Sequence, residues 1–198
     1  MWIVKLGGSL NTDPLLPDWL KLLAQLGGGR VAIVCGGGEF ADEVRRAQAH
    51  WSFPDLSAHN MALLAMAQSA YLAYGLEPEL QLVPSLAEVR RALHGGRTAL
   101  WLPLELLTQQ PAADTHWDHT SDSIALGLAR QLNAERLVIV KACEIPPGAT
   151  LADLSGAEVL DRRFARAALS APFPIDVFQR TELRKMRSLL LGPRSVVG

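Results

Sequence analysis

Short apolar runs alternate with stretches of helical spacing along most of the chain, and each change of period marks an element. Trp2-Ile-Val-Lys-Leu6 reads as a buried strand running into Gly7-Gly8-Ser9. From Leu16 to Leu26 the spacing turns helical, with Leu16, Leu20, Leu23 and Leu26 on one side, until Gly27-Gly28-Gly29 ends it. Val31-Ala-Ile-Val-Cys35 is a second strand, followed at once by Gly36-Gly37-Gly38 and a helix from about Glu39 to Trp51. A loop with Pro54 separates that helix from another over Leu56 to Leu76, and Ser85-Leu-Ala-Glu88 has the form of a capping box for a short helix ending near Gly95-Gly96. Thr98-Ala-Leu-Trp-Leu102 reads as a strand closed by Pro103. A polar loop from about Gln109 to Thr120 leads into a helix over Ser121 to Leu132. Arg136-Leu-Val-Ile-Val-Lys141 is the clearest later strand. Beyond it, Pro146-Pro147-Gly148 is a turn, Leu160 to Leu169 a helix, Ile175-Asp-Val-Phe178 a short strand, Thr181 to Leu191 a helix and Ser195-Val-Val197 an edge strand. Strands that alternate with helices predict an α/β protein, a three-layer αβα sandwich on a mainly parallel central sheet. No repeat, low-complexity tract or linker interrupts the 198 residues, so a single domain is expected.

Composition narrows the function classes. Hydrophobic residues make up 49% of the chain and charged residues 20%, as in a globular domain. The 19 basic and 20 acidic residues nearly cancel, leaving no basic surplus to neutralise a phosphate backbone, so no nucleic-acid partner is expected. Cys35 and Cys143 are too few for a disulfide scaffold, show no C-x-x-C spacing and read as small apolar fillers near strand ends. Trp2, Trp51 and Trp101 read as core. Met1 to Lys5 lacks the charged start and apolar stretch of a signal peptide, which points to the cytoplasm. Leu56 to Leu76 carries no Asp, Glu, Lys or Arg and is long enough to cross a bilayer, but it holds His59, Asn60, Gln68 and Ser69 among alanines. That pattern suits a helix buried in a core or an oligomer interface, and no membrane partner is expected.

Candidate chemistry gathers at three places. Lys5-Leu-Gly-Gly-Ser9 ends a strand in glycines that let backbone N–H groups approach a phosphate, with a hydroxyl and an ammonium at hand. Gly36-Gly37-Gly38 stands at the end of the next strand and opens a helix, whose N-terminus favours an anion. Two such loops on one sheet edge would seat two anionic ligands nose to nose, a geometry suited to phosphoryl transfer. Each loop taken alone is also what an ordinary tight turn needs. Gly36-Gly37-Gly38-Glu39-Phe40-Ala41 matches G-x-G-x-x-A with Asp55 about 20 residues on, which keeps a dinucleotide-binding reading open. The third place is Thr115-His-Trp-Asp-His-Thr-Ser-Asp-Ser123. There Asp122 suits the first turn of a helix, with Thr120 or Ser121 as N-cap. Asp114, His116, Asp118, His119 and Asp122 also invite a metal reading, but their spacing fits no defined ligand pattern, and no metal site is assigned. His59 is equally a buried, hydrogen-bonded histidine or a ligand contact.

Taken together, Lys5-x-Gly-Gly-Ser9, Val34-Cys-Gly-Gly-Gly-Glu-Phe-Ala41 and Thr120-Ser-Asp-Ser123 resemble the amino acid kinase family. Within it, His116-Trp-Asp-His-Thr-Ser-Asp-Ser123 and Gly-Gly-Gly-Glu-Phe-Ala are most similar to the branch that makes methanofuran, in which ATP phosphorylates [5-(aminomethyl)furan-3-yl]methyl phosphate to its diphosphate. The resemblance implies ATP with Mg²⁺ as cofactors, a small phosphorylated substrate and a homo-oligomer joined through the 56–76 helix. It implies Lys5 as the catalytic cation and Asp122 as the catalytic residue that orients it. Gly7, Gly8 and Ser9 would hold the nucleotide phosphates, while Gly36, Gly37, Gly38, His59, Thr120 and Ser121 would bind the acceptor. It also divides the domain into an acceptor half over 1–135 and a shortened nucleotide half over 136–198. The later half departs from the family. Its usual Thr-Asp-x-x-Gly segment is replaced by Lys141-Ala-Cys-Glu-Ile145, nothing matches Gly-Gly-Met-x-x-Lys, and Gln179-Arg180 stands where relatives have Asn-Gly. Lys141 either supplies compensating charge to the nucleotide phosphates or merely caps a strand. These departures leave a rival reading, a non-catalytic protein of this fold that binds a phosphorylated ligand or a partner subunit.

Overall fold

A computed structural model describes residues 1–109 and 121–192. In chain order its elements are β1 (Trp2–Leu6), a 3-10 turn at Gly8–Thr12, α1 (Leu16–Leu26), β2 (Val31–Cys35), α2 (Gly38–Trp51), α3 (Asp55–Leu76), β3 (Gln81–Val83), α4 (Leu86–His94), β4 (Ala99–Trp101) and a 3-10 turn at Pro103–Leu106. Then follow α5 (Ser121–Gln131), β5 (Arg136–Lys141), α6 (Leu151–Gly156), α7 (Phe164–Ala168), β6 (Ile175–Gln179) and α8 (Leu183–Leu191). The strands form one sheet in the order β3-β4-β2-β1-β5-β6, and every neighbouring pair is parallel.

Strand alternation sorts the core into two faces. Val4, Leu6, Ile33, Val138 and Val140 point to the side covered by α1 and α8, against Trp19, Leu20, Leu23, Met186 and Leu190. Ile3, Ala32, Val34, Leu137 and Ile139 point to the side covered by α4, α5, α6 and α7, against Val89, Ala125, Leu126, Leu154 and Phe164. α3 contributes to both, with Leu63 and Met66 on one side and Ala67, Ala70 and Ala73 on the other. The central strands carry apolar residues on both faces because helices cover both. Lys5 and Lys141 share parity with the second face, so both side chains enter beneath α5.

Several expectations change. The strand Gln81–Val83 is an addition; at three residues on the sheet edge it is too short to show a period. The helix expected over Leu160 to Leu169 shrinks to Phe164–Ala168, because Leu160 folds back to donate from its N–H to the Leu154 carbonyl at 3.1 Å. A helix instead forms earlier, at Leu151–Gly156, behind a reciprocal cap between Thr150 and Asp153. Ser85 does cap α4 by accepting from the Glu88 N–H, but the other half of the expected box is absent, and Glu105 accepts from the Leu86 N–H instead. Trp101 is core, whereas Trp51 is 74% exposed at the end of α2. Cys35 is buried as expected, but Cys143 is exposed and fills nothing. Residues 195–197, expected as an edge strand, lie outside the described residues.

Candidate active site

The two glycine loops meet at the carboxyl edge of β1 and β2, and they meet backbone to backbone. A Cβ placed on Gly8 would lie 2.2 Å from the Gly38 nitrogen. Gly38 has φ +54, in the left-handed region, and a Cβ there would stand 2.4 Å from the Gly8 carbonyl oxygen. No residue with a side chain fits either position. Ser69 of α3 braces this crossing: its hydroxyl accepts from Asn11 Nδ2 at 2.8 Å and lies 3.3 Å from the Gly37 carbonyl oxygen.

Beside the crossing is a cavity of about 820 Å³. Lys5, Gly8, Ser9, Gly37, Gly38, Ser121, Asp122 and Lys141 all line it. Gly7 and Gly36 sit behind it, and their N–H groups donate to the Val140 and Leu6 carbonyls at 2.9 and 2.8 Å. Their role in the fold is therefore to extend the sheet ladder. His59 is partly buried on α3, one turn before the lining residue Ala62, and is not itself in the lining. Thr120 lies outside the described residues, as do Asp114, His116, Asp118 and His119. Among the described residues no group of three His, Cys, Asp or Glu could hold a metal ion.

The chemical centre of the cavity is Asp122, which is 1% exposed in the first turn of α5. Its Oδ1 lies 2.7 Å from Lys5 Nζ and its Oδ2 lies 2.6 Å from Lys141 Nζ. One carboxylate thus holds two ammonium groups from adjacent strands. Burial alone would raise the Asp122 carboxyl, but Lys5 and Lys141 hold it below the ordinary carboxylate range. Burial is the main force lowering Lys141, the nearby Lys5 adds to it, and Asp122 and Asp161 oppose both. The result stands below the ordinary lysine value. Burial pushes the Cys35 thiol, at the end of β2, up to about 12 despite Lys5. The sequence reading expected the Lys5–Asp122 contact. Lys141 on the other oxygen was not expected; the signal for it is the shared odd parity of Lys5 in β1 and Lys141 in β5.

Residues missed from the sequence form the far walls. Glu39, Asp42 and Arg45 come from the start of α2, and Glu158 to Arg162 come from the segment between α6 and α7. That segment carries no motif. At the end of β6, Arg180 is held in place: its Nη1 lies 2.5 Å from Asp13 Oδ2, and Trp19 Nε1 donates to its carbonyl at 2.7 Å. The dinucleotide reading fails on topology. That reading needs a strand after α2 to present its acidic residue, but α2 leads directly into α3, and Asp55 opens α3 where it accepts from Gln48 Nε2 at 2.8 Å.

The fold and site define a parallel three-layer α/β protein of the class with paired glycine loops and buried cations at one sheet edge, the edge where such sheets bind their ligands. The sequence profile of the amino acid kinase family matches residues 1–144, and the chain belongs to that family. Over 143 residues it is 31% identical to the [5-(aminomethyl)furan-3-yl]methyl phosphate kinase of Methanocaldococcus jannaschii. That match takes in 70% of this chain, which spans 64% of the relative's length. Among solved structures, the uridylate kinase of Archaeoglobus fulgidus superposes with a TM-score of 0.70 at 15% identity, over 96% of this chain and 95% of that one. The UMP kinase of Bacillus anthracis gives 0.69 at 17% identity, over 97% and 92%. The shared fold therefore runs on past residue 144, where the family profile ends.

Proposed function

We propose that this protein is an ATP-dependent phosphotransferase acting on a small phosphate monoester, with [5-(aminomethyl)furan-3-yl]methyl phosphate as the substrate to try first. The observation that carries the reading is the Asp122 carboxylate bridging Lys5 and Lys141 beside the crossed glycine loops. The site fits nucleotide phosphates, since the Lys5 and Lys141 ammonium groups and the Ser9 hydroxyl line one cavity at the sheet edge. Lys5, Gly8, Ser9 and Lys141 would hold the phosphates, with Mg²⁺ arriving on the nucleotide. The nucleotide supplies the phosphoryl group, and the acceptor phosphate supplies the attacking oxygen.

The chain's own groups orient and neutralise. Gly37 and Gly38, at the start of α2, direct the helix N-terminus toward the acceptor phosphate. Ser121, whose Oγ lies 3.2 Å from where a Gly36 Cβ would be, lines the same side, and we assign His59 and Thr120 to the acceptor by the family resemblance alone. Lys5 is 2% exposed and tied to Asp122, so its ammonium is fixed before charge develops on the transferred group. Holding two phosphates in line does most of what catalysis of this kind requires.

The deciding experiment is ATP consumption with the aminomethylfuran phosphate. Turnover that falls by about 10²-fold or more in Lys5→Ala supports the reading, and turnover no higher than in that variant sinks it. A second reading, a phosphate-ligand binder without catalysis, is favoured by Arg180 after β6, whose guanidinium is engaged by Asp13 and so is not turned to a nucleotide. Calorimetry separates the two, because a protein that binds no non-hydrolysable ATP analogue fits only the second. α3 supports a homodimer: Met61, Leu64, Tyr71 and Tyr74 are exposed along a face without charge. Light scattering at micromolar concentration should give twice the chain mass. The described helices include none long and apolar enough to cross a membrane.

A further inference from the structure

The first-turn N–H groups of a helix have no acceptor within the helix, so whatever accepts from them sets how the helix begins. In α5 the Ser123 N–H donates to Asp161 Oδ2 at 2.9 Å. Ser123 directly follows Asp122, the residue that holds both lysines. Asp161 is 8% exposed and lines the same cavity. Its own place is fixed independently of that bond. Leu160 and Phe164 on either side are buried at 2% and 0%, and the Phe164 N–H donates to the Asp161 carbonyl at 2.9 Å. Glu158 enters this turn with φ 58, a left-handed conformation that an L side chain keeps where packing dictates it. A rigid turn thus presents a carboxylate to the start of α5 from the α6–α7 segment.

We propose that Asp161 is a positioning residue. It fixes the first turn of α5 so that Asp122 meets both lysines, and it faces Lys141 with a second negative charge. The inference rests on the phosphotransferase reading for its catalytic consequence, but not for its electrostatic one. Among the described residues, the charged groups that act on Lys141 are Lys5 from β1, Asp122 from α5 and Asp161 from this turn. Arg180, whose N–H donates to the Lys141 carbonyl, turns its guanidinium to Asp13. Glu158 and Arg162, also in the cavity wall, pair with each other. Asp161 therefore favours the ammonium form of Lys141, in line with its direction of influence there.

The test uses the full chain in two variants. Asp161→Asn keeps an oxygen for the Ser123 N–H but drops the charge, and Asp161→Ala drops both. Lys141 is followed by NMR on protein carrying ¹³C at lysine Cε, its resonance assigned by its loss in Lys141→Met. In both variants the Lys141 titration midpoint should fall by about half a pH unit or more, because an opposing negative charge is gone. Turnover at neutral pH should stay within about threefold of wild type in Asp161→Asn and fall by about tenfold in Asp161→Ala, with the KM for each substrate nearly unchanged. A purely structural Asp161 would alter melting temperature while leaving the Lys141 midpoint in place, and that result overturns the proposal. Equal turnover in the two variants overturns the positioning role. If Asp161→Ala does not fold, the midpoint in Asp161→Asn decides. Should wild type show no turnover at all, the phosphotransferase reading fails while the midpoint still answers for Asp161.

Discussion

Asp122→Asn removes the one carboxylate shared by two buried ammonium groups and changes almost nothing in shape. Lys5 is 2% exposed, so it cannot turn to water without disturbing the sheet. Removing one partner of a buried ion pair costs about 3–5 kcal/mol, because an uncompensated charge is left behind. Here the cost should fall near 3 kcal/mol, because Lys141 already stands below the ordinary lysine value and can shed its proton. At about 2–4 °C per kcal/mol for a domain of this size, the melting temperature should drop by about 6–12 °C at pH 7. The pH dependence checks the cause. Asp122 lies below the ordinary carboxylate range in the native state, so its stabilisation is present above that range and is lost as pH falls through its native pKa. Lys141 carries the opposite sign: its charged form is disfavoured in the fold, a penalty present at neutral pH and relieved as pH rises through its lowered pKa. In Asp122→Asn that pKa falls further, so the gap from wild type should narrow between about pH 7 and about pH 10. Thermal unfolding at several pH values measures this. The companion Lys5→Met/Asp122→Leu/Lys141→Met, which removes all three charges of this cluster together, should come within about 2 kcal/mol of wild type. An Asn variant as stable as wild type at pH 7, or a gap that stays constant with pH, would refute the reasoning.

Gly8→Ala should unfold the loop crossing, since its Cβ would sit 2.2 Å from the Gly38 nitrogen with only backbone to give way. We expect a loss of at least about 3 kcal/mol in urea unfolding, at the upper end of the cost of overpacking. The two thiols should separate by reactivity. Cys143 is exposed and should react with a thiol reagent at pH 8, while Cys35, buried with its thiol raised to about 12, should react only after denaturant is added.

The early half of the chain was legible because its signals are local. Trp2–Leu6, Leu16–Leu26 and Val31–Cys35 form where period and glycine punctuation place them, and the loops after both strands meet as their positions on one sheet edge require. Asp122 at the start of α5 followed from the same kind of local reading. What stayed hidden was tertiary. Asp161 looks like one polar residue in an amphipathic run, but Leu160 folds back onto the Leu154 carbonyl and the Asp161 carboxylate turns to the Ser123 N–H far along the chain. Leu160 and Phe164 have the apolar spacing of one helix turn, yet both anchor the turn that precedes α7. Trp51 and Trp101 were legible as a helix end and a strand residue, but both were expected in the core, and only the packing of the fold leaves the first exposed and covers the second.

Parity in the sheet explains why a lysine at the end of β5 can reach Asp122, and it gives a sharp way to test that explanation. Leu137, Ile139 and Lys141 face α5, whereas Val138, Val140 and the following Ala142 pack toward the other cluster. Lys141 pairs in register with Gln179 at the last rung of β5, so its side chain leaves the sheet just where the cavity opens. A one-residue shift along a strand sends a side chain to the opposite face. The swap Lys141→Ala/Ala142→Lys keeps composition and net charge while moving the ammonium to the α1 and α8 side. If charge near the strand end were sufficient, the swap would bind a non-hydrolysable ATP analogue about as well as wild type. If the ammonium must stand on Asp122, the swap should match Lys141→Ala, with affinity lowered by about tenfold or more, as for loss of a charged hydrogen bond. Calorimetry on the three proteins decides between these outcomes, and wild-type affinity in the swap would remove the parity argument.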